Sequence, residues 1–235
     1  MTVDDVLAEL ESLATPQTRK TLLRHGATEP VFGVRIGDMK PLIRKLGKSR
    51  QWALDLYATG NSDAMYLAGL IADETAMTKK DLQTWVERAP WHMISECTVA
   101  QLTAETPHAR DLALKWIRSK KESIAAAGWS TLACWVSVAD NESLDLDELT
   151  SLIAEAEKTI HQQTGRIQYA MNGFLMSLGC YVPKLTARVR KAAKAIGPVE
   201  IDMGDTACQV PSIEEMIRKV EARGAIGKKR KHARC

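Results

Sequence analysis

Phenylalanine and tyrosine number only two and four in 235 residues, beside six tryptophans and abundant alanine and leucine. Sheet proteins favour β-branched and aromatic residues, so this scarcity argues for an all-α fold. Long apolar runs are missing too. The longest weakly apolar stretch, 124–139, is too short and too rich in Ala, Gly, Ser and Thr to cross a bilayer. The first residues, MTVDDVLAELESLATP, carry acids where a signal peptide carries positive charge. A cytoplasmic protein without a membrane partner is the expectation. The five cysteines are odd in number and form no CxxC pair, which argues against a disulfide framework and a zinc site. No G-x-S-x-G, P-loop or G-x-G-x-x-G is present, and no histidine has another four residues away. Conventional hydrolase, nucleotide and metal chemistry are therefore not expected, nor is a cofactor.

What the chain does contain is helix after helix, separated by short breaks such as Gly60-Asn61-Ser62, Thr106-Pro107, Val182-Pro183. Apolar spacing predicts helices over 2–14, 18–24, 39–46, 50–59, 62–73, 78–88, 90–104, 108–119, 122–138, 146–161, 165–180, 184–196 and 212–223. Asp38 is the expected cap of the third. Gly69, Gly128 and Gly173 sit mid-helix in three loosely similar segments. A mid-helix glycine costs about 1 kcal/mol against alanine, so close helix-to-helix approach is expected at each. Intervals of this size fit stacked helical pairs, an α-α superhelix of the HEAT or armadillo kind. Residues 1–223 read as one helical-repeat domain, and 224–235 as a basic tail.

The net charge of +3 is local. The ending GKKRKHARC holds five cations and no acid, and the remaining chain carries 27 basic against 29 acidic residues. Such a tail reads as a disordered polycation with salt-sensitive affinity for nucleic acid. Helix 184–196 places Leu185, Val189, Ala192 and Ile196 on one side and Lys184, Arg188, Arg190, Lys191 and Lys194 on the other, with no acid in the helix. Unopposed positives favour a polyanion partner over a plain solvated face. Lys115 and Arg118, opposite Leu112, Ala113 and Trp116, repeat the pattern more weakly, while Arg44 and Lys45 belong to a basic run from Arg35 to Arg50 of the kind that usually makes a solvated face. The crossing GPVEIDMGDTACQVP carries Glu200, Asp202 and Asp205 but lacks an EF-hand pattern or a histidine partner, so no metal is expected there.

At the centre, Ala89-Pro-Trp-His-Met-Ile-Ser-Glu opens a helix on which Trp91 and Ser95, four apart, share the edge of an apolar face. With Phe32-Gly-Val-Arg-Ile-Gly-Asp-Met-Lys and the tandem helical pairs, this segment resembles the DNA alkylation repair family, the AlkD-like HEAT-repeat glycosylases, over residues 20 to 196. The resemblance implies a solenoid whose basic face cradles duplex DNA, damaged or branched. Its catalytic members excise cationic alkylated bases. They stabilise the sugar cation with a carboxylate four residues after a tryptophan, and with a second tryptophan on a later helix. Here Trp91 matches the first tryptophan, Ser95 stands in the carboxylate position, and the second tryptophan falls near Gly173. Glu96 is a carboxylate one residue on, about 100° round a regular helix, and so aimed elsewhere unless the helix is irregular. Phe174 or Tyr169 could supply a ring, though core packing suits both better. The candidate catalytic set is thus Trp91, Ser95 and Glu96, with base excision in doubt. The expected DNA contacts are Arg44, Lys45, Lys115, Arg118, Arg188, Lys191, Lys194, Lys228, Lys229 and Lys231, with Trp91 facing the lesion. A glycosylase and a protein-interaction scaffold are the alternatives.

Overall fold

Helix starts in this chain are marked by side chains that accept a backbone N–H: Thr2, Thr15, Ser49, Asn61, Thr78, Asp145 and Ser212 all do so. The computed structural model describes residues 1–234, and among these there is no strand. The elements are α1 (Val3–Ser12), α2 (Pro16–Arg24), α3 (Lys40–Leu46), α4 (Arg50–Ala58), α5 (Ser62–Ile71), α6 (Lys79–Arg88), a π-helical segment (Met93–Val99) running into α7 (Ala100–Ala104), α8 (Ala109–Trp116), α9 (Glu122–Val138), α10 (Leu146–Thr159), α11 (Gly165–Tyr181), α12 (Pro183–Ile196) and α13 (Ile213–Ala222). Asp38 caps nothing. It sits inside a short 3-10 turn, Ile36–Met39, whose end starts α3 without a side-chain cap.

The helices form two layers. The inner one, α5, the π segment with α7, α9 and α11, is closed by α13 packed on α11, and it buries most of its residues. The outer one is α4, α6, α8, α10 and α12. Successive outer helices are joined by ion pairs: Arg50–Asp81 at 2.8 Å, Lys79–Asp111 at 2.7 Å, Arg110–Glu148 at 2.6 Å, Arg118–Glu155 and Arg188–Glu157 each at 2.5 Å. Surface pairs of this kind, with at least one partner open to solvent, contribute about 0–1 kcal/mol each, so they set register more than stability. The core is divided in two, and α9 is the seam: Ile124 and Ala127 pack with the N-terminal half, Trp129, Leu132 and Val136 with the C-terminal half. This is the nearest-neighbour stacking of a solenoid.

Two of the three mid-helix glycines permit close approach. A side chain at Gly69 would strike the Thr98 methyl, and a Cβ at Gly128 would lie 2.6 Å from the Ile117 nitrogen. Gly173 differs: a side chain there would meet open space. The segment Phe32-Gly-Val is structural. The backbone N–H groups of Phe32, Gly33 and Val34 donate to the Asp63 carboxylate at 2.7, 3.0 and 2.8 Å, which ties the N-terminal helices to the start of α5. Gly33, at φ +97° and with the Arg19 backbone pressed against it, admits no side chain.

The tail departs from the sequence expectation of disorder. It runs across the C-terminal ends of the inner helices in reverse order. Gly227 donates its N–H to the Cys180 carbonyl at the end of α11, and Arg230 donates to that of Ser137 at the end of α9. The Lys229 ammonium donates to the Val136 carbonyl at 2.6 Å. Beyond α7, Glu105 accepts from the Ala233 and Arg234 N–H groups. The Arg234 guanidinium pairs with Glu105 and Glu74, each at 2.6 Å, and donates to the Gly69 and Ala72 carbonyls at the end of α5. Helix C-termini expose unpaired carbonyls and the negative end of the helix dipole. Donors and cations arriving there in series make the tail a strap. Cys235 lies outside the described residues.

Candidate nucleic-acid interface

The half-exposed positions of the inner helices recur about every fourth residue: Met93, Cys97 and Gln101; Ser130, Cys134 and Val138; Arg166, Tyr169, Gly173 and Ser177. Together they form one open face whose middle is small and uncharged. The helices run in parallel, so all their N-termini lie along one rim and all their C-termini along the other. The first rim carries Arg24, Lys120, Lys121 and Arg166 beside one exposed acid, Glu122, and the strap lays exposed Lys228, Arg230 and Lys231 along the second. Arg24, Lys120, Lys121, Lys228, Arg230 and Lys231 form no ion pair among the described residues, which leaves their charge available to a ligand.

Several expected contacts lie elsewhere. Lys45 pairs with Glu9 at 2.9 Å on the N-terminal helices. Lys115 donates to the Gln83 side chain, and Arg118 and Arg188 serve the outer-layer pairs. Arg190 meets Glu221 and Glu214. The cations of α12 that looked unopposed in sequence are therefore partly opposed by acids on α10 and α13. Arg44, Lys191 and Lys194 are exposed and unpaired, but they belong to α3 and α12 rather than to the inner layer. Lys229 is turned inward, and burial lowers its pKa.

The central segment is rewound. Ala100 donates to the Ser95 carbonyl, an i to i+5 bond, and π winding persists from Met93 to Val99. That irregularity turns Glu96 toward α11, where its carboxylate forms a two-pronged pair with Arg166, one arm at 2.9 Å. Burial pushes the Glu96 carboxyl above the usual carboxylate range, and the Arg166 guanidinium offsets part of that rise. Ser95 is wholly buried, its hydroxyl within reach of the Trp91 and His92 carbonyls. Trp91 is largely buried. It is 8% exposed, its indole N–H donates to the Ser62 hydroxyl at 3.2 Å, and it borders a small apolar cavity of about 180 Å³ that it shares with Tyr66 and Met93. Phe174 is fully buried, as expected. Tyr169 instead stays half-exposed beneath the Arg166 guanidinium, 4.8 Å from its ring centre.

His92, beside this pair, was not singled out by sequence. Burial first, then Arg166 and His25, lower its pKa from 6.5 to about 4. The unfolded chain therefore takes up a proton below pH 6.5 that the folded chain refuses, and stability falls as pH drops from 6.5 toward 4. With the ring only partly buried, the contribution is on the order of 1 kcal/mol. Urea midpoints followed across this window should fall more steeply for the wild type than for His92→Gln. Parallel curves would contradict the assignment.

A two-layered helical solenoid with an open inner face between two rims is the architecture of the stacked helical-repeat proteins. The chain belongs to the DNA alkylation repair enzyme family, whose model matches residues 6–194. It is similar over its full length to a solved structure described as representing a new family of proteins related to the HEAT-like repeat DNA glycosylases with affinity for branched DNA structures. The two share 36% identity, all of both chains is covered, and the TM-score is 0.93. Among curated proteins it is 30% identical to the uncharacterized proteins Lin0241 of Listeria innocua and Lmo0209 of Listeria monocytogenes, over 95% of this chain and 99% of each relative.

Proposed function

We propose that this protein binds distorted or branched duplex DNA across the inner face, with phosphates engaging the two rims, and that it does not excise bases. The observation that carries the binding reading is the pair of unpaired cation rows, Arg24, Lys120 and Lys121 on one edge and Lys228, Arg230 and Lys231 on the other, flanking a floor without fixed charge. Phosphate contacts position a duplex without reading its sequence, and a groove open at both edges suits a helix that deviates from straight B-form. The solved relative's affinity for branched DNA favours a junction over a lesion as the ligand.

The case against excision is chemical. A glycosylase needs a charge aimed at the sugar cation in a preorganised site. The Ser95 hydroxyl is neutral and buried, and the Glu96 carboxylate is already neutralised by Arg166. Gly173 leaves a gap where a ring is required. The test has two parts: anisotropy titrations of a labelled four-way junction against linear duplex, and single-turnover release of 7-methylguanine. The expected results are tighter binding of the junction and release at the spontaneous rate. Equal, salt-insensitive binding of both DNAs would defeat the first claim. Release lost in Glu96→Gln would defeat the second and restore the glycosylase reading.

A further inference from the structure

At the N-terminal rim a cavity of about 620 Å³ opens between the end of α2, His92 and the starts of α9 and α11. Arg24, Arg166 and the single carboxylate of Glu122 border it on the helical side. Its remaining wall is the crossing from α12 to α13, which presents Glu200 and Asp202. Ile201 packs on Gly165, where a Cβ would lie 3.0 Å from its methyl. The Asn172 amide donates to the Pro211 carbonyl at 2.9 Å. The crossing is thus anchored to the first half of α11 at Gly165 and at Asn172.

The hold on this segment is slight. Between residues 198 and 211, the Asn172 bond is the one hydrogen bond to the rest of the described chain; the others, such as Gly204 to Asp202 and Thr206 to Met203, are internal. Glu200 and Asp202 are exposed and unpaired, and Arg24 is unpaired across from them. Lifting the crossing would break no ion pair. Segments with few buried contacts and few external bonds open at low free-energy cost.

We infer that the crossing 199–206 is an acidic gate, and that the phosphates of a distorted DNA strand must displace it to enter the cavity that Arg24 and Arg166 border. This rests on the DNA-binding reading above. Carboxylates held beside these arginines repel phosphate and favour ligands with enough contacts elsewhere on the two rims to offset the displacement. The gate would thereby select against short or weakly engaged polyanions.

The experiment uses the full chain and a labelled four-way junction in low salt. Glu200→Gln with Asp202→Asn should tighten binding about fivefold or more, beyond a control of equal charge change, Asp55→Asn with Glu87→Gln, on the outer-layer helices α4 and α6. A second pair, Gly165→Cys with Ile201→Cys, should lock the crossing when oxidised, weaken binding, and recover on reduction. If the neutralised variant matches its control, or the locked form binds as well as the reduced one, while the wild type binds DNA, the gate is wrong and the DNA reading stands. If no form binds any DNA, both fall.

Discussion

Replacing Arg234 by alanine should lower the thermal midpoint by about 10 °C. The side chain and its partner Glu105 are each 9% exposed, and the guanidinium also serves Glu74 and two helix-terminal carbonyls. Removing one member of a buried pair leaves the other charge without compensation, at a cost of about 3–5 kcal/mol. Each kcal/mol moves the midpoint of a chain of this size by about 2–4 °C. The comparison is Lys231→Ala, three residues earlier, exposed and unpaired, which should leave the midpoint unchanged. Glu105→Ala should resemble Arg234→Ala, and the double variant should cost little more than either, because the two act on one network. A shift below about 2 °C for Arg234→Ala would mean that the tail merely lies on the surface, and the strap would have to be abandoned.

Reversing charge on the second rim should have the largest effect on binding. Lys228→Glu with Lys231→Glu should weaken junction binding on the order of 100-fold at low salt, and should flatten the salt dependence by about two units of log–log slope. Neither side chain holds the strap in place, so folding should be preserved. Arg118→Gln with Arg188→Gln, which removes two outer-layer cations already paired with Glu155 and Glu157, should change affinity by less than about threefold. The opposite ranking would place DNA on the outer layer and favour the residues first expected from the α12 pattern.

The helices were legible because apolar periodicity and cap residues are local properties. So was the solenoid, since Gly69 and Gly128 lie where neighbouring helices nearly touch. The family resemblance rested on segments that hold the fold, with Phe32-Gly-Val built around Asp63. Charge was harder to read. A helix plotted alone shows Arg188 and Arg190 without opposition, because Glu157 and Glu221 stand more than 30 residues away in sequence and adjoin them only through packing. Arg234 was merged into a run of tail cations, and nothing in its composition marks one arginine as buried. Glu96 was placed by regular helical spacing, which π winding overrides; no residue from Met93 to Val99 announces the extra turn. Arg166 and Arg24 matter by position alone, as single cations beside helix ends.

The central claim is that DNA lies over the inner face, and two native thiols there report on it directly. Cys97 and Cys134 are half-exposed on that floor. Their alkylation by a small iodoacetamide probe, read by mass spectrometry, should slow several-fold or more when a four-way junction saturates the protein, while DNA too short to bind leaves the rates unchanged. If both thiols react equally fast with the junction bound, the DNA lies on another surface and the account fails.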